Sequence, residues 1–217
     1  MLTKKRTFDL FSASLVLLLV VPLSLFFYPT LVFLIGKPII FKQERIGKKG
    51  KKFTIYKLRS MNKNASFIKN KYLTLNEAPA PMFKIDEDPR FIKKEITFFG
   101  LLQKPLVLKV GRFLSYSGLD EVPQFWNILR GEMSLIGPRP LPVAEAERLK
   151  KIDPKWYSWR HSVQPGIFSI WAVDPQHNKS LNYWKKLEKE TLQMNDYQKL
   201  RIIGQVIVKQ SKNLFQS

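Results

Sequence analysis

The sequence contains no cysteine, which excludes a disulfide framework, a thiolate zinc site and a cysteine nucleophile, and fits a reducing compartment. Acidic residues are scarce too: 17 Asp and Glu face 37 Lys and Arg, for a formal net charge of +20. That imbalance calls for an anionic partner, and phosphate groups, anionic lipids and nucleic acid meet the demand equally well. Charge is absent altogether from Leu10 to Ile35, a run longer than the roughly 20 residues that span a bilayer. The run lacks the short apolar core and small-x-small cleavage site of a signal peptide, so it is expected to remain in lipid. The rest of the chain suffices for one hydrophobic core, giving an anchor over 1–38 and a single domain over 39–217.

Both flanks of the apolar run are basic, with Lys4, Lys5 and Arg6 before it and Lys37, Lys42, Arg45, Lys48 and Lys49 after it. A straight span places one cluster on the wrong side of the membrane, whereas a re-entrant hairpin keeps both cytoplasmic. Pro22, near the centre, removes a helix hydrogen bond and supplies a cause for a kink. A tilted span with a proline kink accommodates the same residues. Asp9 has Lys5 and Arg6 within one turn as expected partners.

From Ile39 to Met61 two apolar-alternating stretches flank Gly47-Lys48-Lys49-Gly50, which predicts a β-hairpin. Period two places Lys57 and Arg59 on one side of its second strand, as paired anion ligands or as a solvated face. Residues 62–80 have no sustained period and read as loop. Residues 95–114 are apolar but broken by Lys104, Pro105 and Lys109, and read as a second interfacial or core element.

The densest chemistry lies between Ser117 and Pro140, where Asp120 and Glu121 precede VPQFWNIL and a Gly-Pro-Arg-Pro loop holds Arg139. Pro123 is tolerated only in a first helical turn, so the helix is expected to start near Asp120. Two carboxylates there serve either as ordinary capping charges or as chemistry. A carboxylate can attack phosphorus, and a neighbouring one can hold a divalent cation or manage a proton. Prolines on either side stiffen Arg139, making it a rigid turn residue or a fork presented to phosphate.

These blocks, in order, resemble the bacterial sugar transferase family, the monotopic phosphoglycosyl transferases that include the enzyme initiating Campylobacter N-glycan assembly. The matching pieces are KRTFDL, FKQERIGKKGKKFTIYKLRSM, FKIDEDPR, GRFLSYSGLDEVPQFWNILRGEMSLIGPRP and VQPGI. The resemblance implies a mixed α/β fold: a re-entrant membrane helix hairpin kinked at Pro22, then a small, helix-rich catalytic domain with a short β-hairpin and interfacial helices. It implies a monotopic protein of the bacterial cytoplasmic membrane, facing the cytoplasm. Asp120 becomes the nucleophile that takes a phosphosugar from a UDP-sugar and expels UMP. Glu121 supports Mg²⁺, shared with Asp120, and proton handling. Lys57, Arg59 and Arg139 gather phosphates, and Gln43 and Arg45 shape the site. The acceptor is a polyprenyl phosphate such as undecaprenyl phosphate, the setting anionic lipids, and downstream glycosyltransferases follow in glycan or exopolysaccharide assembly.

The chain departs from the family pattern at Val21, Ser115 and Gly118, where Ser, Arg and Ser are usual, and across Gln164 to Trp171. Residues 96–110 look like an insertion. Two rival readings are a member that has lost activity and scaffolds a glycan-assembly complex, and a membrane-tethered polyanion-binding protein. The acidic pair counts against nucleic acid as the partner, because it repels a phosphate backbone.

Overall fold

The computed structural model describes residues 3–98 and 106–214. Helix α1, Lys4–Phe26, is capped by Thr3, whose hydroxyl accepts from the Arg6 amide at 3.3 Å. It is long and apolar enough to cross a membrane, and only Asp9 and Ala13 along it are buried. Helix α2, Tyr28–Ile35, follows after a break at Phe27. Helix α1 runs on through Pro22 and ends at Phe27. Pro29 is the physical reason, because its ring clashes with the carbonyl four residues back and suits the first turn of a new helix. Ser24 donates to the Val21 carbonyl at 2.8 Å, beside Pro22.

The foot of α1 is bonded to the domain's backbone. Arg6 donates to the Ile128 and Leu129 carbonyls at 2.6 and 3.0 Å, and Lys5 donates to that of Ile136 at 3.2 Å. Asp9 is buried and accepts from the Leu135 amide at 3.0 Å, instead of pairing with Lys5 or Arg6 as expected. Docking α1 against the Leu135 strand brings a peptide N–H within reach, and both cations find carbonyls instead.

Strands β1, Ile40–Ile46, and β2, Lys52–Leu58, form the expected antiparallel hairpin, with Gln43 opposite Ile55 and Arg45 opposite Phe53. Residues 62–80 hold a short 3₁₀ stretch, Lys69–Leu75, among turns. Strands β3, Glu95–Phe98, and β4, Leu106–Lys109, pair with each other, and residues 99–105 of the apolar segment lie outside the described residues. Then come α3, Val110–Tyr116, and α4, Gln124–Leu129. Strand β5, Ser134–Ile136, pairs in parallel with β7, Gly166–Phe168, while β6, Leu141–Pro142, joins the free edge of β1. At Gly166 an added Cβ would sit 2.0 Å from the Gly137 amide, so only glycine permits that pairing.

Four helices complete the chain: α5, Val143–Ile152; α6, Pro154–Arg160; α7, Leu181–Gln193; and α8, Asp196–Leu214. One core cluster joins Ile46, Leu141, Leu149, Trp156, Trp184 and Leu187. A second joins Ala13 of α1 to Phe53, Ile55, Phe125, Ile128 and Ile202, so α1, β2, α4 and α8 share one interior. Burying such side chains is worth about 1.5–3 kcal/mol each, which fixes β2 against α4.

Candidate active site

On β2, Phe53, Ile55 and Lys57 share one face by the period of two. The first two enter the core against α4, and Lys57 is carried to the edge of that core. Asn127, fully buried on α4, locks the pairing: its amide donates to the Thr54 carbonyl at 2.7 Å and its oxygen accepts from the Tyr56 amide at 3.3 Å.

Asp120 and Glu121 occupy a single 3₁₀ turn, Leu119–Glu121, one turn ahead of α4. The helix thus begins at Gln124, later than Asp120. Gly118 sets that turn with a left-handed φ of 72°, a conformation that strains any residue with a side chain and so accounts for glycine here. The Lys57 ammonium bridges the pair, 3.2 Å from Asp120 Oδ2 and 2.8 Å from Glu121 Oε1. Arg139 approaches Glu121 Oε1 at 3.5 Å. Its side chain is 38 % exposed against 15 % for Lys57, so Arg139 is the more accessible of the two to an incoming anion.

The two acids are pushed apart. Burial raises the Asp120 carboxyl to about 6, with Glu121's charge adding and Lys57 opposing. Burial would raise Glu121 too, but Lys57 and Arg139 outweigh it and hold Glu121 at about 2. Glu121 is therefore suited to holding cations and ill suited to accepting a proton.

Arg45 lies behind, donating to the Pro140 carbonyl at 2.8 Å and to Gln43 Oε1 at 2.7 Å. Burial, then Arg139's charge, lowers it to about 10, so it stays cationic. A narrow cleft is lined by Arg45, Lys57, Glu121, Gln124 and Arg139, and among the described residues the buried Gln124 amide nitrogen has no hydrogen-bond partner. Gln43 supports Arg45 and does not line the cleft. Arg59 is elsewhere, which corrects its pairing with Lys57. One residue beyond β2, it turns to the end of α2, donating to the carbonyls of Ile35, Gly36 at 2.9 Å and Pro38 at 2.8 Å. Those carbonyls end a helix and would otherwise be unsatisfied.

Among the described residues no three acidic, histidine or cysteine side chains cluster as a metal cage. A metal would take carboxylate oxygens from Asp120 and Glu121 alone, a donor set that fits a hard cation completing its shell with water and phosphate oxygens. The pair already draws one cation, Lys57, between its oxygens.

Sequence reasoning missed Asn127, Gln124 and the buried ion pair of Arg160 with Glu188, since nothing in a linear pattern marks which polar residues turn inward. Gln164, at the start of the departing segment Gln164 to Trp171, donates to the Gly131 carbonyl at 2.6 Å and so pins the loop after α4.

The galactosyl transferase CpsE of Streptococcus agalactiae is 34% identical over 177 residues, 82% of this chain and 35% of the relative. The UDP-galactose-lipid carrier transferase of Erwinia amylovora is 35% identical over 179 residues, 81% and 33% respectively. The exopolysaccharide production protein ExoY of Rhizobium meliloti is 33% identical over 176 residues, covering 81% of this chain and 71% of the relative. The chain thus spans about a third of the length of the first two relatives. The model of the bacterial sugar transferase family matches residues 1–216, and with Lys57 and Arg139 gathered about the Asp120–Glu121 turn, the chain belongs to the bacterial sugar transferase family.

Proposed function

We propose that the chain is a phosphoglycosyl transferase that moves a sugar 1-phosphate from a UDP-sugar to a polyprenyl phosphate, through a phosphosugar held on Asp120. The observation that carries this is the acid pair bridged by Lys57, Asp120 buried and Glu121 half-buried, with the more exposed Arg139 beside Glu121. Relatives named for UDP-galactose, for undecaprenyl phosphate and for UDP-glucose support the donor and acceptor classes.

At neutral pH most Asp120 is ionised. Lys57 holds Oδ2, and among the described residues no donor is bonded to Oδ1, which attacks the phosphorus carrying the sugar. The Asp120 O–P bond forms as the bond to UMP breaks, and UMP leaves with the electron pair. A polyprenyl phosphate oxygen then attacks the same phosphorus, forming the lipid diphosphate and returning Asp120 as carboxylate. Lys57 and Arg139 offset the charge of an anion attacking a diphosphate, and Arg45 adds a fixed positive field behind them. Mg²⁺ held by Asp120 and Glu121 would supply further charge neutralisation at the phosphate oxygens.

Location at the cytoplasmic membrane face belongs to the same reading. Phe11, Leu18, Leu19, Leu25, Phe26 and Phe33 are exposed along α1 and α2, a surface suited to lipid. Arg6 ties the start of this segment to the domain and Arg59 ties its end, which supports a hairpin that enters and leaves by one face. Helix α8 exposes Tyr197, Leu200, Ile207 and Val208, with Arg201 and Lys212 also exposed, a pattern fit for an anionic lipid surface.

UMP release from UDP-galactose, UDP-glucose and UDP-N-acetylgalactosamine, with undecaprenyl phosphate in nanodiscs, tests this function. Multiple turnovers with one donor that depend on the acceptor are expected; no release with any donor, from folded protein, rejects it.

A further inference from the structure

The buried pair of Arg160 and Glu188 plays no part in the chemistry above, yet both side chains are only 1 % exposed, deeper than any catalytic group. Glu188 Oε1 accepts from Arg160 Nη2 at 2.6 Å and Oε2 accepts from Arg160 Nε at 3.1 Å, a two-pronged contact. The same Nη2 donates to the Arg139 carbonyl at 2.8 Å. A second route leaves the same carboxylate: Oε1 accepts from Trp184 Nε1 at 3.0 Å, the Trp184 ring lies 4.9 Å from that of Trp171, and the Arg139 guanidinium stands 5.6 Å over Trp171. Glu188 therefore fixes Arg139 twice, at its backbone and at the surface beneath its fork.

We infer that Glu188, through Arg160 and Trp184, is a positioning residue that aims Arg139 at the donor's diphosphate; this rests on the assignment of Arg139 to phosphate binding above. A buried ion pair is a weak device for stability, since apolar replacements of like volume are often neutral or better. It is a good device for aim. Arg160 spends one guanidinium on Glu188 and on the Arg139 carbonyl together, so any shift of Glu188 is passed to the Gly-Pro-Arg-Pro backbone. The pair is also neutral as a whole, which leaves the positive field at the cleft to Arg139, Lys57 and Arg45.

The test is a double-mutant cycle on UDP binding by the full chain in nanodiscs, with melting temperatures measured alongside. Arg139→Lys and Glu188→Gln should each weaken UDP binding, the latter by roughly tenfold, and the double variant should bind no more weakly than Arg139→Lys within about twofold. Uridine, which has no phosphate, should bind all four proteins equally. Arg160→Lys keeps the charge pair but loses the fork, so it serves if Glu188→Gln fails to fold, and it should show the same phosphate-dependent, non-additive loss. Losses that multiply, or that fall on uridine and UDP alike, would overturn the positioning role while leaving the transferase assignment intact. Wild type that binds no UDP would instead remove the donor assignment and this inference with it.

Discussion

Lys57 Nζ lies 2.8 Å from Glu121 Oε1, and this contact, with Asp120 Oδ2 3.2 Å from the same nitrogen, lets two adjacent carboxylates share one turn. Glu121 is the ammonium's nearer partner and has Arg139 beside it as well, which leaves Asp120 as the weaker acid. Activity should therefore have an acid limb near pH 6, lost as Asp120 is protonated. In Lys57→Met the charge that lowers Asp120 is gone, so its carboxyl rises further and the limb should move to higher pH by about one unit or more. A limb unmoved in Lys57→Met, measured as UMP release from pH 5 to 9, would detach Lys57 from Asp120's titration.

Asp120→Asn should lose turnover and gain stability. A carboxyl raised to about 6, above the ordinary value near 3.9, favours the fold when protonated and loses that advantage as pH rises through this window. Glu121 runs the other way: its stabilisation is present above about 4.5 and disappears as pH falls toward 2. At pH 7.5 the asparagine removes the unfavourable charge along with its Lys57 contact, a net gain of roughly 1–3 kcal/mol, so the melting temperature should rise by about 2–12 °C. A lower melting temperature would show that the Asp120 charge is a net support of the fold.

Arg139→Lys should keep the fold and lose most activity, because a point-charge ammonium cannot reproduce a planar fork on phosphate. Arg139's partly exposed side chain makes a large stability change unexpected. Near-full turnover with an unchanged melting temperature would make Arg139 a bystander.

The hairpin, the Gly-Pro-Arg-Pro loop and the acid pair were legible in the sequence because each has a local cause: alternation, proline and adjacency. Lys57 was legible for the same reason, standing on the inward face with Phe53 and Ile55. Arg59 was misplaced because period two ends with the strand at Leu58, and the next side chain answers to the α2 carbonyls. Asp9 was paired with the wrong groups because the Leu135 amide is 126 residues away in sequence. Arg160 and Glu188 left no trace, since their meaning lies in what they touch across the fold.

Both ends of the apolar segment should face the cytoplasm, and the absence of native cysteine leaves labelling clean. Single cysteines at Thr3 and at Lys48 in intact cells should both resist a membrane-impermeant thiol reagent. Labelling at Thr3 alone would replace the hairpin with a plain span.

A phosphosugar held on Asp120 is most directly detected by trapping it in the absence of acceptor. Enzyme given Mg²⁺ and UDP-sugar labelled in the sugar should release at most one UMP per site and carry label that hydroxylamine removes. Asp120→Asn should carry none, while Glu121→Gln, which leaves the nucleophile in place, should acquire label slowly. Label that survives in Asp120→Asn and vanishes in Glu121→Gln would move the nucleophile one residue along, and wild type that turns over with acceptor yet carries no label without it would contradict the covalent route.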